Sequence, residues 1–345
     1  MTHQTAPVVS YTPSPVSFQD IPMPTLLSGA AIIQCVGAGL CGTDAEKIEQ
    51  QKVSVGTVLG HEVVGKIHQL DSDYQGDLRI GQRVVLAHHV PCGTCHFCVN
   101  ESPSMCEQFK KSNLFPGGFA PYFSASSKHL EHTTFAIPAH ISDREAVCLE
   151  PLACVLRAIR RTPLAKEQGS VAVIGLGFIG LLTAQALKLN GQAVLGFDLN
   201  PARLALSNTL AFADLAVHPT EHESEYQAWL SQQAVQKVDA VFLTVVNPHT
   251  LALSLRLVRN GGALTLMAGN SHGEILDPAT FYYREINVVT SYSPALKDLQ
   301  HASTLLFERK IVVNPLMTHP MPIEAFNEGL QLYRSGEAIK VFYSY

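Results

Sequence analysis

Short apolar runs separated by glycine, proline and polar turns mark the first part of the chain: AAIIQCVGAG from Ala30, VVGKIHQL from Val63, QRVVLAHHV from Gln82 and APYFSAS from Ala120. Runs of this length with irregular connections predict a β-rich domain. The pattern changes near residue 155. From about 170 to 290, apolar strand runs alternate with helical patterns. Strands are expected at Val171–Ile174, Ala193–Phe197, Val238–Thr244 and Ala263–Met267. Helices are expected at Ile179–Leu189, Pro201–Ala211 and Pro248–Val258, and Pro201 and Pro248 suit a first helical turn. Strand and helix alternating in this way predict a parallel, doubly wound sheet. Beyond Thr290 the pattern predicts helices at Lys297–Arg309 and Ile323–Arg334, the second stopped by Gly336, and a final β run, Ile339–Tyr345, that could rejoin the first domain. Residues 1–25, rich in Pro, Ser and Thr, suggest an edge hairpin or arm. The fold class is α/β.

Composition narrows the function. A chain of 345 residues that is 46% hydrophobic and 15% charged is neither disordered, collagenous nor coiled-coil. At roughly 100 to 200 residues per domain, two domains are expected. A net charge of −5 and a pI of about 6.3 provide no basic field, so neither nucleic acid nor a membrane surface is expected as a partner. The uncharged stretch Gly169–Leu187 is long enough to span a bilayer. Its Gly175, Gly177, Gly180, Thr183 and Gln185 fit a strand, a glycine turn and a helix start better. The start, MTHQTAPVV, has neither the basic end nor the apolar run of a signal peptide, so a soluble cytoplasmic protein is expected.

Gly175-Leu-Gly177-Phe178-Ile179-Gly180 is G-x-G-x-x-G between an apolar strand and a helix, with Asp198 ending the next strand. Gly175 permits the tight turn, Gly177 lets backbone approach a pyrophosphate, and Gly180 lets helix and strand pack closely. The helix N-terminus then offers amides to phosphates. The Asp198 carboxylate suits the ribose diol of NAD and repels the 2′-phosphate of NADP. Arg203, five positions on, could line the adenine side and blurs that preference.

Eight cysteines stand at 35, 41, 92, 95, 98, 106, 148 and 154. Cys92, Cys95, Cys98 and Cys106, spaced C-x2-C-x2-C-x7-C, can close a tetrahedron around one Zn²⁺ with no position left for chemistry, a structural site. An iron–sulfur cluster is the rival assignment, and a nucleic-acid zinc finger is disfavoured by the acidic charge. His96 within the loop is a bystander. Two further motifs, Gly39-Leu-Cys41-Gly-Thr43-Asp44 and Gly60-His61-Glu62, together supply a thiolate, an imidazole and a carboxylate, a set that suits Zn²⁺.

With these motifs assembled, the chain resembles the zinc-dependent medium-chain alcohol and polyol dehydrogenases, in particular the sorbitol (L-iditol) and threonine dehydrogenase branch. The resemblance rests on Cys41-Gly-Thr-Asp44, Gly60-His-Glu62, the run His88-His-Val-Pro-Cys92-Gly-Thr-Cys95-His-Phe-Cys98, Gly117-Gly-Phe119, Glu150-Pro-Leu-Ala-Cys154 and the glycine fingerprint, all in family order. It implies a GroES-like β-rich catalytic domain over residues 1–155, completed by 290–345, with a Rossmann domain over 156–289. It implies one catalytic zinc on Cys41 and His61, with Glu62 and Glu150 as the nearby carboxylates and either of them as the direct ligand. It also implies cofactor contacts from Phe178, Ile179, Asp198, Arg203, the turn Ala268-Gly269 and the segment Ser291-Tyr292. A homo-oligomer, dimer or tetramer, follows from the same likeness.

The implied chemistry is hydride transfer from a secondary alcohol to NAD, the alkoxide stabilised by zinc. Thr43 would pass the hydroxyl proton outward. Relatives often carry His where this chain has Glu46, so Glu46 or solvent would take the proton next. Pro121 stands where relatives usually place Glu, Thr290 replaces an expected Gly, and the segment between Asp44 and His61 is short; these departures weaken any specific substrate claim. The substrate class implied is a polyol, sugar alcohol or cyclitol. A threonine-type 3-hydroxy-amino-acid dehydrogenase and a non-catalytic cofactor-binding relative are the alternatives. No extra Arg stands out as a carboxylate clamp for the first, and intact Cys41, Thr43, His61 and Glu62 speak against the second.

Overall fold

The computed structural model describes residues 5–12, 16–164, 169–269 and 277–345. The chain divides into two compact units, one made of Met1–Pro151 with Ala295–Tyr345, the other of Leu152–Pro294. In the first unit, β1 (Thr5–Ser10) and β2 (Ser17–Pro22) pair antiparallel, as the expected hairpin would; residues 1–4 and 13–15 of that arm lie outside the described residues. β3 (Ala31–Gly39), β4 (Glu62–Leu70), β5 (Arg83–Ala87), β6 (Tyr122–Ala125) and β7 (Thr134–Ala136) follow. β4 shows why its chain segment reads only half as an alternating strand. Its first four residues, Glu62 to Gly65, are all buried, and only beyond them does the pattern alternate, with Lys66 out, Ile67 in and His68 out.

The second unit is one parallel sheet built from β8 (Ser170–Ile174), β9 (Ala193–Phe197), β10 (Leu215–Val217), β11 (Val238–Leu243), β12 (Val258–Leu266) and β13 (Asn287–Thr290). Its order is β10-β9-β8-β11-β12-β13, a doubly wound arrangement that reverses direction between β8 and β11. Both faces are covered, so β8 is buried at every position. The expected helices form as Phe178–Leu189, Pro201–Thr209 and Pro248–Leu257, with Asn200 and Asn247 capping the second and third. β12 begins at Val258 rather than Ala263, because its pairing with β11 is irregular near Val238 and Gly261 and Gly262 interrupt its apolar run. The sequence pattern did not reveal β10, β13 or the helices Glu223–Gln232 and Pro278–Arg284. β10 has three residues, and Glu223–Gln232 buries little beyond Tyr226, Trp229 and Leu230. Among the described residues no helix is long and apolar enough to cross a membrane.

The tail then returns to the first unit. The helix Leu296–Phe307 forms as expected. The next predicted helix divides into a 3₁₀ turn, Ile323–Ala325, and an α-helix, Phe326–Ser335, ended by Gly336 at φ +80°. β14 (His319–Pro322) and β15 (Val341–Ser344) complete a sheet in the order β14-β15-β3-β4-β5-β7, with β6 also on β3. β15 lies antiparallel to β3, with Phe342 opposite Gly39. Phe119, Phe326 and Tyr343 meet in the core beneath, with Phe326 at 5.0 Å from each of the other two rings, and Tyr343 donates its buried hydroxyl to the Phe326 carbonyl at 2.8 Å. That bond fastens the final strand to the helix before it. Tyr343→Phe removes this buried bond and should cost about 1 kcal/mol, seen by calorimetry as a fall of a few degrees in unfolding temperature; an unchanged transition would show that the hydroxyl contributes nothing.

Candidate functional site

Cys41 follows the end of β3 and forms the N-cap of the helix Gly42–Glu49, in extended conformation at φ −97°, ψ 150°. His61 and Glu62 open β4. Gly60 before them sits at φ +87°, and a Cβ there would lie 2.7 Å from the Phe119 amide nitrogen, so this approach to the site admits glycine alone. Donor atoms of Cys41, His61 and Glu62 come within 4.8 Å of one another. Behind them stands Asp44, 1% exposed, whose Oδ1 lies 3.3 Å from His61 Nδ1 and accepts the Gly60 N–H at 3.4 Å, while its Oδ2 accepts the Cys41 N–H at 3.4 Å. With Nδ1 turned to Asp44, Nε2 is the ring nitrogen left for a metal. Burial by itself would lower the His61 pKa, but the Asp44 and Cys41 charges prevail and raise it well above the usual histidine value. Burial likewise works to raise the Asp44 pKa, and His61, Lys47 and the Gly60 N–H together bring it below the usual range.

Glu62 is both a member of this group and the ion-pair partner of Lys340, itself 2% exposed and donating to the Leu40 carbonyl at 3.0 Å. Burial tends to lower the Lys340 pKa, and the Glu62 and Cys41 charges outweigh it. Thr43 is exposed, with its Oγ1 3.7 Å from Cys41 Sγ. Glu46 faces outward and pairs with Lys52 at 3.5 Å. Glu150 is buried in the first turn of the helix Leu149–Arg161, and it is not among the side chains gathered within 4.8 Å. The His88 ring lies 4.9 Å from that of His61, and burial holds its pKa well below the usual value.

Cys92, Cys95, Cys98 and Cys106 form the second group within 4.8 Å. All are free thiols, with Cys95 and Cys92 Sγ at 3.6 and 3.9 Å from Cys98 Sγ. Two short helices set them: Cys95 caps His96–Val99, and Cys106 caps Glu107–Lys111. The N–H groups of Thr94 and Cys95 lower the Cys92 thiol to about 6, while burial and the sulfur of Cys95 push Cys98 up to about 12. Four sulfurs so close cannot all ionise alone; a divalent cation makes that possible. His96 points away and bonds with Asn100 at 3.3 Å.

In the second unit the glycine loop is held by backbone contacts. Gly175 stands at φ +91°, and a Cβ on Gly180 would lie 1.8 Å from the Gly175 carbonyl. At Gly177 the space is open, with nothing nearer than Arg203 Nη1 at 3.8 Å. Thr244, after β11, donates to the Gly175 carbonyl at 2.8 Å. Asp198 accepts the Leu176 N–H at 2.6 Å and the Asn200 N–H at 2.8 Å, and lies 3.7 Å from Arg203 Nη1. Phe178 and Ile179 open the helix that follows the loop. Ala268 and Gly269 follow β12, and a Cβ on Gly269 would meet nothing within 4 Å. Ser291 and Tyr292 follow β13; Tyr292 is 63% exposed, and Ser291 Oγ is buried without a hydrogen-bond partner among the described residues.

Two family descriptions match the chain: an alcohol dehydrogenase GroES-like domain over residues 28–135 and a zinc-binding dehydrogenase over 179–308. A sorbitol dehydrogenase of Halalkalibacterium halodurans is 30% identical over 94% of each chain. This chain belongs to the zinc-binding alcohol dehydrogenases. An L-threonine 3-dehydrogenase of a Chelativorans species is 26% identical over 93% of each chain. The solved structure of galactitol-1-phosphate dehydrogenase from Escherichia coli, 25% identical, superposes with a TM-score of 0.83 over 99% of this chain and 100% of that one.

The donor sets of this dehydrogenase fit zinc. One group offers sulfur, nitrogen and oxygen, the other four sulfurs, and tetrahedral N/S coordination is what Zn²⁺ prefers. The orphaned Ser291 hydroxyl and the open backbone at Gly177 fit a bound dinucleotide. The sequence pattern contains Asp44 in the Cys41 motif but assigns it no task, and it shows neither the role of Lys340 nor the bond from Thr244 to the glycine loop. A single lysine within the final apolar run was the only signal for Lys340. Replacing Asp44 by Asn keeps the shape and removes the charge that orients His61, so zinc affinity should fall about 10- to 100-fold, measured by competition with a chelator. Unaltered affinity would remove Asp44 from the site.

Proposed function

We propose that this chain oxidises a secondary alcohol group of a polyol or sugar alcohol to the ketone, using one catalytic zinc, one structural zinc and NAD. The observation that carries the reading is the meeting of Cys41, His61 and Glu62 within 4.8 Å, backed by Asp44, in a chain that also carries the dinucleotide fingerprint. Cys41 and His61 are the metal ligands, with Glu62 or Glu150 as the carboxylate that completes or approaches the set. Zinc at this place supplies a Lewis acid that favours loss of a hydroxyl proton, and NAD supplies the hydride acceptor.

The protein's own groups do the rest. Asp44 Oδ1 fixes the imidazole of His61. Lys340 balances the charge of Glu62, so that a buried carboxylate next to a thiolate is tolerated. Thr43 Oγ1 receives the proton of the alcohol and passes it outward; with Glu46 already paired to Lys52, solvent takes it next. Asp198 favours NAD, although one of its oxygens also holds the glycine loop through the Leu176 N–H, the other accepts the Asn200 N–H, and Arg203 stands close. The relatives named for sorbitol and galactitol-1-phosphate support a polyhydroxylated substrate, and the threonine dehydrogenase relative supports a 3-hydroxy amino acid as the second reading. A homo-oligomeric, cytoplasmic enzyme agrees with the family.

Metal analysis separates the parts. Wild-type protein should hold two zinc ions per chain; Cys41→Ser and His61→Ala should each keep one, retain the circular dichroism of the fold and lose NAD reduction. Turnover surviving in both variants ends the metal reading. A panel of polyols, cyclitols and amino alcohols then identifies the substrate class. Cofactor choice is tested independently: kcat/KM should favour NAD over NADP, and Asp198→Ala should shrink that ratio about tenfold or more. A wild-type preference for NADP would contradict the part given to Asp198.

A further inference from the structure

Two arginines of one helix hold the end of β13 and the turn that follows it. Within Leu149–Arg161, Arg157 and Arg161 stand four residues apart and so share a helix face. Arg157 is 2% exposed, and its Nη1 donates to the carbonyls of Tyr292 at 2.6 Å and Ser293 at 2.8 Å. Arg161 Nε donates to the Thr290 carbonyl at 3.0 Å. The clamped turn includes a non-glycine residue in the left-handed region, Ser293 at φ +63°. Such a residue is strained and persists only where its surroundings hold it. A buried guanidinium is itself expensive to desolvate, and it is worth keeping where its charge-assisted bonds fix a shape.

The sheet topology says what that shape is for. Asp198, which reads the adenosine ribose in the reading above, ends the segment after β9, on one side of the β8/β11 reversal. The other mononucleotide half of a dinucleotide then crosses the ends of β11, β12 and β13. The Ser291–Tyr292 turn after β13 lies on that side, with the buried Ser291 hydroxyl lacking a hydrogen-bond partner among the described residues. We infer that Arg157 is a positioning residue for the nicotinamide half of the cofactor, acting through the backbone of residues 292 and 293, with Arg161 supporting the same turn. The inference rests on the dinucleotide reading of the glycine loop, and it adds a residue outside the fingerprint that tunes one half of the ligand and leaves the other alone.

The test compares NADH with ADP-ribose, which lacks the nicotinamide, by calorimetric titration of the zinc-loaded full chain. Arg157→Met keeps the bulk of the side chain and removes the donors. It should weaken NADH binding about tenfold or more while ADP-ribose binding changes by less than about twofold, and KM for NAD should rise more than kcat falls. Arg157→Lys, a single-headed cation, should recover part of the loss. Unchanged NADH affinity in Arg157→Met overturns the inference. So does an equal loss for both ligands, which would mark a residue that merely holds the unit together. If Arg157→Met does not fold, Arg157→Lys carries the test, with a selective loss of about threefold expected and an equal loss for the two ligands overturning it. A wild type that binds neither ligand overturns the dinucleotide reading and this inference with it.

Discussion

Cys41, His61 and Glu62 meet because one buried carboxylate has three partners. Asp44 draws the Cys41 amide, the Gly60 amide and the His61 ring to itself, and so joins the start of a helix to the start of a strand. Burying a carboxylate is costly unless each of its oxygens is engaged. That cost makes the arrangement specific: if Gly60 moved, or the helix start shifted by one residue, Asp44 would be left without its partners. The sulfur of Cys41 and the imidazole of His61 are brought together by a residue that is not itself one of the grouped metal donors.

A second buried charge pair closes the same region from behind. Lys340 meets Glu62 and the Leu40 carbonyl, and neither side chain is exposed beyond 2%. Such a pair is weak evidence for stability, since its Coulombic gain is spent against desolvation. Its effect here is on charge: Glu62 and Asp44 are two buried carboxylates in one small volume, and Lys340 is the buried cation paired with the first of them.

How much of this the sequence disclosed follows from distance along the chain. The four-cysteine group was legible because its members lie within a single short segment and their spacing is the chemistry. The glycine loop was legible for the same reason, since Gly175, Gly177, Gly180 and Asp198 fall inside one strand–helix–strand unit. Cys41 and His61 were legible only together with those motifs. Lys340 was not, because its partner Glu62 is remote in sequence and a lone lysine in a β run looks like an edge residue. Thr244 was missed because it follows a different strand from the loop it steadies. The short strands β10 and β13 escaped because three or four residues carry no periodicity to read; β13 is moreover largely exposed.

The position of β15 between β14 and β3 also sets an order of events during synthesis. The second unit is one uninterrupted stretch, Leu152–Pro294, and has all of its strands as soon as that stretch has emerged. The first unit must wait. Cys41, His61 and Glu62 are made early, yet the strand and the lysine that close their sheet are 300 residues behind Leu40. Nascent chains thus carry an unpaired β3 edge and a Glu62 without its buried cation until residues 340–345 have emerged, and a product truncated before them would lack both.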